Sequence, residues 1–521
     1  MEGNTDTLAN WLDKHALVSP EAPALMGPDG AVSYGDLARK VRATAFGLQQ
    51  LGLGKGDVVA LQLPNIEAFV VAFLAVTKCG GIAQTLHMPY RQAELKHLLG
   101  HSGARIAVGL SSFKGMSPAA EMLAMQSSLP ALESVVAVGK PIPDAQPFSA
   151  WSDQDTEMTL PDVSPDDPYL LLYTSGTTAS PKGVPHTYRG FLGNAARSAA
   201  ELGIEPGETM LSVAPYTHLY GLFVMHMCLA TGAAQSLLPA FDPAGFLDYL
   251  SEAKPDGIFA APAHFAPFCA AGAITGEHLA HTRFTCLSGS TVPPSLAEEV
   301  DTLMPEGRVI QLWGMSELQA GAFGRPDDPE ETRFRTAGRA SPATHLRIVD
   351  GQDKVLPSGQ EGELQVKGPS VFTGYLNNRA ETEAAFVGDG WFRTGDLAIL
   401  DRDGFLTLTG RLKEIINRGG VKYNPVDIEA VLSELDAVEA CAIVPFPDPD
   451  LGERACLCVQ LRDGKSLTLG QAAAVLEERG IAKYKWPERL EIVDAMPLTP
   501  TRKIMRGSLQ QRIADSMKKT A

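Results

Sequence analysis

Apolar positions recur at helical spacing over Ser33 to Leu51, Asn65 to Lys78 and Tyr90 to Gly103, and short apolar runs such as Val58 to Leu63 and Ile106 to Val108 lie between them. Helical and strand periods that alternate along a chain predict a layered α/β unit. A Pro/Asp/Ser-rich stretch, TLPDVSPDDP, interrupts the pattern and places a boundary near Pro165. The alternation then resumes: a buried strand LLLY (Leu170 to Tyr173), a helix Arg189 to Leu202, a strand near Met210 to Ala214 and a helix near Tyr220 to Ala230. Strands at Gly257 to Ala260, Phe284 to Ser288 and Val309 to Leu312 carry it to about Pro342. Beyond that point HLRIVD, GELQVKG and DGFLTLTG are separated by turns rather than helices, which predicts a β-rich subdomain up to about Gly410. In the last hundred or so residues, NPVDIEAVLSEL and SLTLGQAAAVLEERG have helical periodicity, and AVEACAIVPF and RACLCVQL read as strands. The fold class expected is α/β: a large N-terminal domain, 1–410, of layered subdomains at about 1–165, 166–342 and 343–410, followed by a small α+β C-terminal domain, 411–521.

Composition narrows the function. A chain of 521 residues with 45% hydrophobic and 20% charged residues has the make-up of an ordinary globular protein. Its net charge of −17 argues against nucleic acid or an anionic membrane surface as the main partner, because both select basic faces. The longest apolar run, AFVVAFLAVTKCGGIAQTL from Ala68, is broken by Lys78 and Gly80-Gly81, so it reads as a buried helix followed by a strand and not as a membrane span. The N-terminal stretch lacks a signal-peptide pattern. The seven cysteines have neither CxxC nor metal-ligand spacing, which suits reduced core thiols and a cytoplasmic location.

The chemistry begins at YTSGTTASPKG, residues 173 to 183. Gly176 permits backbone conformations that let N–H groups converge on an anion. Thr174, Ser175, Thr177 and Thr178 add hydroxyls, and Lys182 adds a point charge. Such a loop leaving a strand suits phosphate, although taken alone it reads equally well as a Ser/Thr/Gly surface turn. It is not a Walker A loop, since Pro181 and Gly183 flank the lysine.

Six further stretches follow in order: PYTHLYG (215–221), LSGSTVPP (287–294), QLWGMSE (311–317), WFRTGDL (391–397), GRLKEIINRGGVKYNP (410–425) and PLTPTRKIMR (497–506). With these the chain resembles, over essentially its whole length, the acyl-adenylate-forming superfamily of acyl-CoA synthetases and aryl-acid ligases. The resemblance implies ATP, Mg2+ and a carboxylic acid. It implies that the loop binds the phosphates, that Glu317 holds the metal, and that Gly289, Ser290, Trp313, Gly314, Met315 and Ser316 line the adenine and phosphate path. Asp396 and Arg411 match the ribose-binding pair. Lys503 matches the catalytic lysine of a mobile C-terminal domain, Lys413 its hinge, and Gly419-Gly420 the pantetheine path. His218 matches a histidine beside the carboxylate and thiol, with Tyr216 and Leu312 in the acyl pocket. Ala179, Ser316 and Arg502 depart from the family, which commonly has glycine, threonine and glycine there.

PYTHLYG offers no acidic partner for an α-ammonium, which argues against amino-acid substrates. Leu312 stands where long-chain enzymes often have glycine, favouring a compact aryl, alicyclic or short-to-medium acid. The expected activity is an AMP-forming acid–thiol ligase with coenzyme A as acceptor. An amine or carrier-protein pantetheine remains an alternative acceptor, and a catalytically silent nucleotide-binding homologue is the alternative of another class.

Overall fold

The computed structural model describes residues 6–28, 30–151, 159–174, 181–419, 421–448, 451–499 and 503–520. The chain divides into two compact units: Met1–His345 with Val366–Phe392, and Leu346–Gln365 with Arg393–Ala521.

Two sheets organise the first unit. In the seven-stranded sheet, Val58–Gln62 lies between Ile106–Leu110 and Ile82–Thr85, and the hairpin Pro168–Thr174/Lys182–Thr187 extends the far side. In the nine-stranded sheet, Thr209–Ser212, Gly257–Ala260, Phe284–Leu287 and Arg308–Met315 run parallel in that order. The seven-stranded sheet is built from one stretch, residues 58–187, which runs across the boundary expected near Pro165, whereas the nine-stranded sheet draws on two separate stretches. The N-terminal strand Pro23–Gly27 joins the nine-stranded sheet by parallel pairing with Ala234–Ser236.

The alternation of periods is realised element by element. The helix Tyr34–Gln50 starts at Ser33, whose Oγ accepts the Asp36 N–H at 3.1 Å, an N-cap that satisfies one orphan donor. The apolar run from Ala68 becomes the helix Glu67–Lys78, buried from Phe69 onward, and then the strand Ile82–Thr85. Lys78, the residue that interrupts the run, has a side chain only 3% exposed, and its ammonium pairs with Asp13 at 2.7 Å. Without Asp13 that charge would be buried and uncompensated. No helix among the described residues is long and apolar enough to cross a membrane.

In the second unit the strands Val438–Asp448 and Gly452–Leu461 pair antiparallel. Both read as nearly continuous apolar runs because both faces are covered. Cys441, Ile443, Leu457 and Val459 share one core with Ile428, Leu432, Ala472 and Leu476 of the helices Val426–Ser433 and Leu469–Glu478. The alternate residues Ala442, Val444, Cys456 and Cys458 pack with Leu509 and Ile513 of Arg506–Thr520 on the other face. All seven cysteines are buried and free. A small sheet contains His345–Val349, Glu361–Lys367, Trp391–Leu400 and Leu406–Arg411.

Candidate active site

The phosphate-loop motif joins two antiparallel strands. Thr174 and Lys182 are register partners that close its base, and Tyr173 faces Gly183. Ser175, Gly176, Thr177 and Thr178 lie outside the described residues, as do Gly420, Ala179 and Arg502.

Lys182 and Glu317, far apart in sequence, meet across one aromatic ring. The Lys182 ammonium sits 4.7 Å from the centre of the Tyr375 ring, and the Tyr375 hydroxyl donates to Glu317 Oε1 at 3.0 Å. Burial and the neighbouring Glu317 carboxylate push the Tyr375 phenol up, so it stays a donor. The Glu317 backbone carbonyl accepts the Phe372 N–H at 2.7 Å, and its side chain is buried. A second carboxylate, that of Glu381, is ion-paired with Lys182. Neither Tyr375 nor Glu381 has a local sequence signal that marks it.

The strand Arg308–Met315 delivers the next group. Its parallel neighbour Phe284–Leu287 ends beside it, with Leu287 paired to Gln311, so Gly289-Ser290 and Trp313-Gly314 emerge at the same carboxyl edge. Open α/β sheets characteristically bind ligands there. Gly289 has φ +92°, a left-handed value that favours glycine. Trp313 is 5% exposed and packs so tightly on Gly321 that a Cβ there would lie 2.2 Å from the indole. A Cβ on Gly314 would come within 2.1 Å of the Gln319 carbonyl oxygen, which is why glycine precedes the Met315–Glu317 turn. His186, which the sequence reading missed, supports that turn from beneath: its Nε2–H donates to the Ser316 carbonyl at 2.6 Å.

PYTHLYG wraps the start of the helix Leu219–Thr231. His218 is the N-cap, and its Nδ1 accepts the Tyr220 N–H at 3.2 Å, which leaves Nε2 as the protonated nitrogen of the neutral ring. The ring stacks on His87 with centroids 6.1 Å apart, and His87 Nδ1 bonds the Thr217 hydroxyl at 2.9 Å. Burial pulls the His87 imidazole down to about 4. His87 is another residue that sequence patterning does not reveal. Tyr216 is 1% exposed; its N–H donates to Asn65 Oδ1 at 2.6 Å, and its ring tilts against Phe69. Leu312 is partly buried and packs on the core cluster to which Ala214, Tyr220 and Phe223 belong.

In the second unit, Asp396 and Arg411 are register partners whose side chains form an ion pair at 3.0 Å. Asp396 follows Gly395, with φ +71°, inside the long strand Trp391–Leu400, where the sequence alone would suggest only a turn. Lys413 sits in the short turn Leu412–Glu414. Gly419 has φ +59° and follows Arg418, the register partner of Val421. Lys503 is tied to Thr499 by two bonds: its N–H donates to Thr499 Oγ1 at 3.0 Å, and its carbonyl accepts the Thr499 N–H at 2.8 Å. Arg506, three residues on, grips both oxygens of Glu429 at 2.6 Å and anchors the loop to the helix Val426–Ser433.

Among the described residues no group of three or more His, Cys, Asp or Glu is arranged to hold a metal. A buried carboxylate such as Glu317, sharing a small hard cation with phosphate oxygens, is the usual setting for Mg2+, so the residues fit a metal that comes with ATP.

Comparison with known proteins agrees with this arrangement. The AMP-binding enzyme family matches residues 12–376, and the AMP-binding enzyme C-terminal domain matches residues 427–503. The chain is 30% identical to a medium-chain fatty-acid–CoA ligase of Escherichia coli, over 97% of this chain and 90% of that one. It is 31% identical to a salicyl-AMP ligase / salicyl-S-ArCP synthetase of Mycobacterium tuberculosis, over 98% and 90%. The ATP-bound crystal structure of MatB from Rhodopseudomonas palustris superposes with a TM-score of 0.87 at 26% identity, covering 97% of this chain and 99% of that one. The α/β fold and this site therefore define an ATP-using ligase. The chain belongs to the AMP-binding enzymes, the acyl-adenylate-forming superfamily.

Proposed function

We propose that the protein is an acid–thiol ligase that activates a compact carboxylic acid as its acyl-adenylate and passes the acyl group to coenzyme A. The observation that carries the reading is the meeting of Lys182 and Glu317 across Tyr375, a cation and a metal-binding carboxylate set where a polyphosphate needs both. In the first step the substrate carboxylate oxygen attacks the α-phosphorus, the bond to the β-phosphate oxygen breaks, and pyrophosphate leaves. Thr174, Lys182 and the loop receive the departing phosphates, and Glu317 would hold a Mg2+ ion, which would supply charge neutralisation there. Trp313, Gly314, Met315, Ser316, Gly289 and Ser290 bound the nucleotide, and Asp396 with Arg411 takes the ribose. Lys503 supplies the cation that brings carboxylate and α-phosphate together. In the second step the thiol sulfur attacks the acyl carbon, AMP leaves with the bonding pair, and the thiol proton goes to solvent. His218 orients the acyl carbonyl; Gly419-Gly420 admits the pantetheine arm, and Lys413 is the hinge.

The similarity to a salicyl-AMP ligase / salicyl-S-ArCP synthetase supports a second reading, in which a carrier-protein thiol replaces CoA. One experiment addresses both. Pyrophosphate release from ATP is measured across a panel of aryl, alicyclic and short-to-medium acids, and active acids are then tested with CoA or holo-carrier protein. Acid-dependent release followed by thioester on CoA is the expected result. Thioester only on the carrier protein would replace this reading with the second.

A further inference from the structure

The segment Gly374 to Thr382 places a carboxylate on the phosphate-loop lysine. It is fixed at several points: the Leu376 N–H donates to the Gly183 carbonyl at 2.9 Å, the Tyr375 N–H to Thr382 Oγ1 at 2.9 Å, and the Glu381 N–H to Asn378 Oδ1 at 3.2 Å. These bonds hold Glu381 where its carboxylate pairs with Lys182, whose side chain is 17% exposed while that of Glu381 is 46% exposed. The ammonium therefore has a protein anion on one side and the Tyr375 ring on another. An ATP polyphosphate needs the same ammonium. We propose that Glu381 is an internal counter-ion of Lys182, a positioning residue that keeps the lysine at the loop and that the nucleotide phosphates displace. The inference rests on Lys182 being a phosphate ligand.

Two effects oppose each other when the carboxylate is removed. Lys182 loses a partner that fixes it, which weakens nucleotide binding, but its charge is no longer neutralised, which strengthens it. The Tyr375 ring still confines the ammonium, so the second effect wins. Because the pair is partly exposed, the gain is modest, about two- to five-fold in affinity, and salt shrinks it.

The test is equilibrium titration of the full-length protein with ATP, without acid, for the parent, Glu381→Gln, Lys182→Ala and the double variant, at low and high salt. Glu381→Gln is expected to bind ATP about two- to five-fold more tightly at low salt. Glu381→Asp, which keeps the charge, should fall between it and the parent. Lys182→Ala should bind weakly, and adding Glu381→Gln to it should change nothing. Unchanged or weaker binding by Glu381→Gln, with Lys182→Ala still impaired, overturns the counter-ion role and leaves the phosphate ligand in place. Equal tightening with and without Lys182 also overturns it, since Glu381 would then act elsewhere. Undiminished ATP binding by Lys182→Ala removes the phosphate reading itself, and this inference with it.

Discussion

At the residue scale, the site works by giving each charged group a partner that leaves its chemistry available. Tyr375 occupies one oxygen of Glu317 with a neutral donor, so the carboxylate is oriented while its charge is retained. Replacing Glu317 with Gln keeps the shape and removes the charge. It should cut Mg–ATP turnover by about 10² or more while leaving conversion of supplied acyl-AMP plus CoA much less affected, because only the first step releases pyrophosphate. Equal losses in the two assays would take Glu317 out of the metal role. Leu312 makes a different prediction. It packs on the core cluster that includes Tyr220 and Phe223, so Leu312→Gly should open space at the edge of that cluster and move the preferred acid to longer chains. The ratio of kcat/KM for a longer and a shorter acid reads this directly, and an unchanged ratio would place Leu312 away from the acyl chain. Leu312 and Glu317 stand in stretches whose order along the chain is recognisable. Tyr375, Glu381, His87 and His186 do not, because each acquires its meaning from a partner distant in sequence, such as Glu317 for Tyr375 or Ser316 for His186.

At the scale of elements, the hairpin of Arg308–Met315 and Gln319–Phe323 carries the turn that presents Ser316 and Glu317. It is propped from below by buried polar groups. His186 bonds the Ser316 carbonyl, and the Gln319 amide reaches toward His226 Nδ1 at 3.5 Å from a backbone with φ +72°. Burial holds His186 at about 4 and His226 at about 3, against 6.5 for the free imidazole. Between pH 6.5 and 4 the unfolded chain therefore binds protons that the folded one refuses, so the stability these neutral rings provide is complete above that window and is lost as pH falls through it. The melting temperature should drop over this range. His186→Gln should be less stable at pH 7.5 but lose less on acidification, whereas parallel pH profiles would show that this ring does not titrate with unfolding. The first strand of the hairpin and its parallel neighbours were legible because their apolar residues form short strand-length runs; the return strand Gln319–Phe323 was not. The sheet joined by Pro23–Gly27 was not, since pairing with Ala234–Ser236 leaves no mark in the local pattern. Nor was the strand Trp391–Leu400, whose Arg393, Thr394, Gly395 and Asp396 break the alternation, with Arg393 and Thr394 finding their partners in Glu363 and the Leu364 carbonyl.

At the scale of the whole molecule, a chain of net charge −17 handles a polyanion by placing individual cations where charge must be cancelled. Lys182 belongs to the first compact unit and Lys503 to the second. If the two lysines serve different moments of the reaction, removing Lys503 must separate the half-reactions. The two bonds between Thr499 and the Lys503 backbone and the grip of Arg506 on Glu429 do not involve the Lys503 ammonium and persist in Lys503→Ala, which should therefore fold as the parent does. Loss of one well-placed cation from the adenylation transition state should slow that step by about 10² or more. The thioester step starts from a carbonyl already activated as a mixed anhydride and does not call for the same cation, so supplied acyl-AMP and CoA should react at close to the parent rate. Quenched-flow measurement of each half-reaction separately gives the answer. A similar fall in both would mean that Lys503 supports the fold or acts throughout, and the assignment of this lysine to the first step alone would fail.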